Sequence, residues 1–104
     1  MVYTHHFTCD SKNVLYVLIC NYCWVFYIGH SEDLKQRTRK HKSDVYHPEN
    51  SNCKKCSNHL REHSNFREPF FQIYPILYED NKAKRRFIEK RLLLRYKPTL
   101  NGDS

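Results

Sequence analysis

Two apolar, β-rich runs, Val14–Cys20 (VLYVLIC) and Trp24–Ile28 (WVFYI), are separated only by Asn21, Tyr22 and Cys23. That spacing predicts a hairpin, although Tyr22 is a poor tight-turn residue. The turn carries a Cys-x-x-Cys pair, Cys20 and Cys23, and each run carries a tyrosine, Tyr16 or Tyr27. Gly29, one of only two glycines, is expected to end the second strand. A glycine there lets the chain turn sharply or lets a ligand approach closely. Ser31 then offers an N-cap, with Glu32 and Asp33 in the first turn, to a helix running through about Lys42. Arg37 and His41 are four apart on that helix and share a face.

The segment His47–Cys56 (HPENSNCKKC) reads as a loop, because Pro48, Asn50, Ser51 and Asn52 break any periodicity. Ser57–His63 fits a short helix capped by Ser57. Phe70–Tyr78 fits a third strand, whose Pro75 calls for an edge position or a bulge. In Lys82–Tyr96, Phe87, Ile88, Leu92 and Leu93 recur at helical spacing, and Pro98 stops the helix. The predicted order is β-β-α-loop-α-β-α, an α+β chain. At 104 residues this is one domain, residues 13–104, behind a polar lead-in of residues 1–12. No apolar run approaches the about 18 residues that span a membrane, and Met1–Asp10 is too polar for a secretion signal. The chain is expected to be intracellular, with no membrane partner.

The formal charge is +7, with eighteen Lys and Arg, and aromatic residues make up 14% of the chain. This balance points to a polyanionic partner, nucleic acid before membrane. Lys35, Arg39, Lys40 and Lys42 on the first helix, Lys54 and Lys55, and Lys84, Arg85, Arg86, Lys90 and Arg91 on the last are candidates for salt-dependent backbone contacts. Such contacts position a duplex but carry little sequence information.

Five cysteines cannot all pair, and in a reducing compartment they favour metal over disulfides. Cys20 and Cys23 can close two corners of a tetrahedral zinc site. Either Cys53-x-x-Cys56 or His59-x₃-His63 can supply the other two, the histidines lying on one side of a helix. The plainer alternative makes Cys20 and Cys23 small buried hydrophobes. Cys9, His5 and His6 are expected to have no metal role.

Tyr16, Tyr27, Arg37, His41 and Glu89 make chemical sense together if the substrate is a phosphodiester. A carboxylate such as Glu89 can hold Mg²⁺, a hard ion that keeps several waters. An arginine clamps a phosphate oxygen and stabilises charge that builds up in the transition state. His41 can take up a proton. Singly, each has an ordinary role: a strand tyrosine fills a core, and Glu89 pairs with Arg85 or Lys90.

Taken in order, the set resembles the GIY-YIG nuclease superfamily. Val14-Leu15-Tyr16 stands in place of GIY, and Tyr27-Ile28-Gly29 matches YIG outright. Arg37 follows ten residues after Tyr27 and His41 one helical turn later, with Glu89 in "RRFIEKRLL" and Asn101 in "KPTLN". The first triplet lacks the family's glycine but keeps its tyrosine. The resemblance covers roughly Asn13 to Asn101. It implies a small three-stranded antiparallel sheet flanked by helices, and cleavage of a DNA strand, dependent on Mg²⁺ or Mn²⁺, without a covalent intermediate. It also implies that Tyr16, Tyr27, Arg37, His41, Glu89 and Asn101 form the catalytic set.

A cysteine pair between the two tyrosine strands is similar to the nuclease domain of Penelope-like retroelements. That likeness implies a structural Zn²⁺ on Cys20, Cys23, His59 and His63, a zinc-stapled insertion distinct from the ion at Glu89. It also implies a nuclear setting, a partner reverse transcriptase domain in a larger polyprotein, and a nick whose 3′-hydroxyl primes synthesis. A second reading fits the charge and cysteines equally: a non-catalytic, zinc-dependent nucleic-acid-binding module.

Overall fold

The computed structural model describes residues 11–101, so His5, His6 and Cys9 lie outside the described residues. The architecture is α+β, a three-stranded antiparallel sheet flanked by helices. The strands are β1 (Lys12–Cys20), β2 (Phe26–Asp33) and β3 (Phe71–Tyr78), in the order β2-β1-β3. The helices are α1 (Leu34–Tyr46), α2 (Lys54–Ser64) and α3 (Lys82–Tyr96), with single 3₁₀ turns at Pro48–Asn50 and Thr99–Asn101.

Side chains alternate across the sheet. Val14, Tyr16, Leu18 and Cys20 on β1 are fully buried and share one core with Leu34 and Val45 of α1 and Cys56 and Leu60 of α2. Leu15 and Ile28, which point the other way, are also buried, and α3 lies against β1 and β2. Pro75 meets both expectations. It sits on an edge strand, where its missing N–H costs no ladder bond, and beside a bulge. Leu15 pairs with Leu77 but Tyr16 with Pro75, which leaves Ile76 as the extra residue.

Several boundaries differ from the sequence reading. Lys12 belongs to β1 rather than to a lead-in, paired with Asp33 on β2 and joined to it by an ion pair of 2.9 Å. Because β1 goes on pairing that far, β2 continues past Gly29 to Asp33, and the α1 cap moves with it. Asp33, not Ser31, accepts from the Gln36 N–H. Helix α1 runs on to Tyr46, because Val45 continues the buried face of Leu34 and His41. Helix α2 begins at Lys54, not at Ser57, since Cys56, Leu60 and Ser64 recur every four residues and are all buried. On α3 the half-buried positions are Ile88, Glu89, Leu92 and Leu93, whereas Phe87 is 59% exposed.

Gly29 stands mid-strand, directly opposite Tyr16. The group that approaches it is the Tyr16 phenol: a Cβ there would lie 2.6 Å from both Cζ and the hydroxyl, and 2.8 Å from Cε1 of Tyr27. Tyr16 is fully buried and cannot swing away. Gly29→Ala is therefore expected to destabilise the domain by about 1–3 kcal/mol through overpacking, read as a lowered urea midpoint at unchanged slope. A midpoint equal to wild type would mean the tyrosine is not packed over the glycine.

Candidate active cleft and metal centre

Five separate segments bring the candidate residues together. Tyr16 comes from β1 and Tyr27 from β2, Arg37 and His41 from α1, Glu89 from α3, and Asn101 from the final 3₁₀ turn. A cleft of about 220 Å³ is lined by Tyr27, Arg37, His41, Glu89 and Asn101, together with Lys40, Asp44, Ser51, Asn52, Cys53 and Leu93. Tyr16 does not line it; it lies behind, its hydroxyl 2.7 Å from Nε2 of His41. The rings of Tyr27 and His41 meet edge to face, with centroids 5.3 Å apart.

Burial sets the protonation states. It pushes the Tyr16 phenol well above its ordinary range, with the neighbouring Tyr27 phenol adding to the rise. Tyr27 is pushed up to about 12, again chiefly by burial. His41 is pulled down to about 4 by burial and then by the Arg37 guanidinium. At neutral pH both phenols are protonated and the imidazole is neutral. The consistent arrangement has Tyr16 donating to Nε2 of His41, whose proton then sits on Nδ1.

The His41 shift has a pH signature. An unfolded histidine takes up a proton near pH 6.5 and the folded one only near 4, so the unfolded chain binds more protons in between. Stability from this group is full above about pH 6.5 and is lost as pH falls towards 4, by up to about 3 kcal/mol. Urea midpoints at pH 7 and 4.5 should converge in His41→Gln relative to wild type. An equal pH drop in both proteins would remove His41 as the cause.

Glu89 is half-buried. Burial raises its carboxyl above the usual range, against the pull of Arg86 and Arg37. Its near ionic neighbour is not Arg85 or Lys90 but His30, with Nε2 3.9 Å from Oε1. Nδ1 of His30 is buried and has no hydrogen-bond partner among the described residues. Burial and the Arg85 guanidinium lower the His30 pKa. Asn101 meets the backbone of Ile28 at both ends, accepting from its N–H at 2.9 Å and donating to its carbonyl at 2.8 Å. It thereby pins the C-terminal turn to β2 beside Tyr27, a role of placement.

An adjoining groove of about 540 Å³ shares Arg37, Lys40 and Asn52 with the cleft and continues past His30 and Gln36 to Lys82. Sequence reasoning missed His30, Asp44 and Asn52 as lining residues. His30 directly follows the Tyr-Ile-Gly triplet, and Asp44 continues the Arg37-His41 face, so a signal for both was present. Arg85 is not a surface cation. It is 1% exposed, and one of its terminal nitrogens donates to the carbonyls of Glu79 and Asp80.

A second cluster lies at the hairpin tip. The ligand atoms of Cys20, Cys23 and His59 all fall within 4.8 Å of one another, a group that can hold a metal ion. Sγ of Cys23 is 2.9 Å from Nε2 of His59. A tetrahedral zinc would spread that edge to about 3.6 Å, a small adjustment. Burial, with His63 next, lowers the His59 pKa, so the imidazole is neutral and its lone pair available. The His63 ring stacks on His59 with centroids 3.8 Å apart, next to the site. Cys56 is instead part of the core, and the Cys53 thiol donates to the Leu100 carbonyl. The described metal-competent group contains neither of them.

Comparison with family models, with curated proteins and with solved structures gives no match for this chain.

Proposed function

We propose that this domain is a GIY-YIG-type endonuclease that nicks DNA with the help of Mg²⁺ or Mn²⁺, and that Zn²⁺ staples its hairpin to α2. The observation that carries the reading is convergence: Tyr27, Arg37, His41 and Glu89, scattered over 63 residues, line one cleft, with Tyr16 bonded to His41 behind it. A module that only binds nucleic acid has no chemical reason to assemble them.

In this reading Arg37 grips the scissile phosphate and offsets charge on its equatorial oxygens. Tyr27, protonated at neutral pH, donates to a phosphate oxygen. Behind it the Tyr16–His41 hydrogen bond holds the imidazole edge-on against the Tyr27 ring and so orients that phenol, a role of placement. Asn101 fixes the stretch of β2 from which Tyr27 projects. A half-buried carboxylate suits an ion that keeps several waters and binds through one or two carboxylates plus substrate phosphates, so Glu89 fits as its holder. When bound, the ion would neutralise phosphate charge and present a water. The adjoining groove past His30 towards Lys82 would carry the strand backbone. Cys20, Cys23, His59 and His63 are the proposed zinc ligands, His63 completing the set by turning its ring.

No described helix is long and apolar enough to cross a membrane. A nuclear setting, and a reverse transcriptase domain using the nick as primer, extend the proposal. Supercoiled plasmid incubated with Mg²⁺ or Mn²⁺ tests it: open circles should accumulate with wild type. Tight binding without any nicking would leave the zinc-stapled binding module as the better account.

A further inference from the structure

Trp24, the sole tryptophan, immediately follows Cys23 at the hairpin tip and is 70% exposed. It also adopts φ 65°, the left-handed region that glycine occupies freely and a bulky residue does not. The backbone there is held hard: the Trp24 N–H donates to the Cys20 carbonyl at 3.1 Å, and the Cys20 N–H to the Val25 carbonyl at 2.9 Å. Phe66, in the connection between α2 and β3, repeats the anomaly at φ 60° and 45% exposure. Trp24 is thus held open to water where its backbone is strained, while Phe66, at a second strained position, is half-exposed and stacked on Tyr46 with centroids 6.0 Å apart. A sequence shaped only for stability would put glycine at position 24.

The two sites belong to one tied surface. Tyr22 of the tip donates to the Arg67 carbonyl at 2.6 Å, and the Asn21 side chain donates to the Pro69 carbonyl at 2.9 Å. Guanidinium groups lie over the flanking rings, Arg67 5.8 Å from the Tyr22 centroid and Arg61 4.8 Å from that of Phe66. Among the described residues no ring stacks on Trp24 and no cation covers it.

We propose that this end of the domain is a stacking platform for the unpaired bases of a nucleic-acid strand, with Trp24 as the open face and the Tyr22–Arg67 and Phe66–Arg61 pairs beside it. Planar aromatic and guanidinium faces match the π-faces that every base presents, and exposed arginines with a net charge of +7 match the backbone. Paired bases hide those faces, so the platform selects a displaced or frayed strand over duplex. A tip held by its own backbone bonds and by the Tyr22 and Asn21 contacts presents Trp24 with little ordering cost on binding. The surface lies on residues separate from the cleft, and the proposal stands without the cleavage reading.

The single tryptophan makes the test direct. Wild-type protein is titrated with a thymine 20-mer and with a 20-base-pair duplex while tryptophan emission is followed. The single strand should quench emission saturably and the duplex should leave it nearly unchanged. Affinity of the labelled 20-mer, read by anisotropy, should fall about five-fold or more in Trp24→Gly and in Phe66→Gly, as for loss of one stacked base. Both variants should retain their zinc, and the thermal midpoint of Trp24→Gly should hold or rise because the strain is relieved, whereas Phe66→Gly also gives up the Tyr46 and Arg61 contacts. Unchanged affinity in both variants, equal quenching by duplex, or equal quenching by a polyglutamate peptide would each overturn the platform. Single-strand binding by a protein that never nicks plasmid would refute the nuclease reading alone.

Discussion

Glu89→Gln is expected to lower plasmid nicking by about 10²–10³-fold, the scale on which loss of one preorganised electrostatic contact is felt, while the fold and DNA binding persist. Glutamine keeps the shape of the side chain and removes only its charge. Burial raises the Glu89 carboxyl above its ordinary value. A carboxyl raised in this way opposes folding once it is ionised, so at pH 7 the substitution should leave the thermal midpoint equal or higher. Binding should tighten slightly, because a negative charge leaves a cleft that already holds Arg37 and Lys40. Lost cleavage, unharmed stability and undiminished binding together mark a residue that acts on the reacting phosphate. Undiminished nicking would assign the ion to another group, with Asp44 the other carboxylate lining the cleft. Lost binding would make Glu89 a structural residue.

The parts of the fold legible in the sequence are those where local pattern and tertiary pairing agree. The period-two runs around Tyr16 and Tyr27 form strands, and Pro75 marks both the edge and the bulge. Misplaced boundaries share one cause: a long-range contact overrides a local signal. Ser31 is a good cap by type, yet it stays in β2 because Val14 pairs with it. Lys54 and Cys56 look like loop residues, yet the burial of Cys56 pulls them into α2. Phe87 fits the helical period of α3 but faces water, since α3 presents Ile88, Glu89 and Leu92 to the sheet.

The candidate site was more legible than the boundaries, because its residues sit at fixed offsets on regular elements. Arg37 and His41 needed only helical spacing to share a face. The partner of Glu89 was not legible. His30 and Glu89 are 59 residues apart, and their approach depends on how α3 crosses β2. The same holds for Asn101, whose clamp on Ile28 spans 73 residues. For Cys53 and Cys56, spacing alone allowed ligation. Burial of one and the Leu100 carbonyl bonded to the other set them apart from Cys20 and Cys23.

Removing the proposed zinc should unfold the domain. Small domains have total stabilities of about 5–15 kcal/mol, and structural zinc contributes apparent binding energies of about 10–16 kcal/mol, so the metal outweighs what the core can supply alone. The geometry says where the loss falls. The proposed ion joins the hairpin tip to α2, and α2 brings Cys56 and Leu60 into the same core as Tyr16. Releasing that link frees the helix and opens the core face behind the cleft. Cys23→Ser and His59→Ala should each purify with little zinc and show no cooperative thermal transition. Cys53→Ser should keep one zinc per chain and stay folded, because the Cys53 thiol donates to Leu100 rather than reaching the tip. Zinc content by mass spectrometry under native conditions, read beside circular dichroism, separates these outcomes. Loss of zinc in Cys53→Ser would instead favour the four-cysteine site, and a folded, zinc-free wild type would end the case for a structural metal.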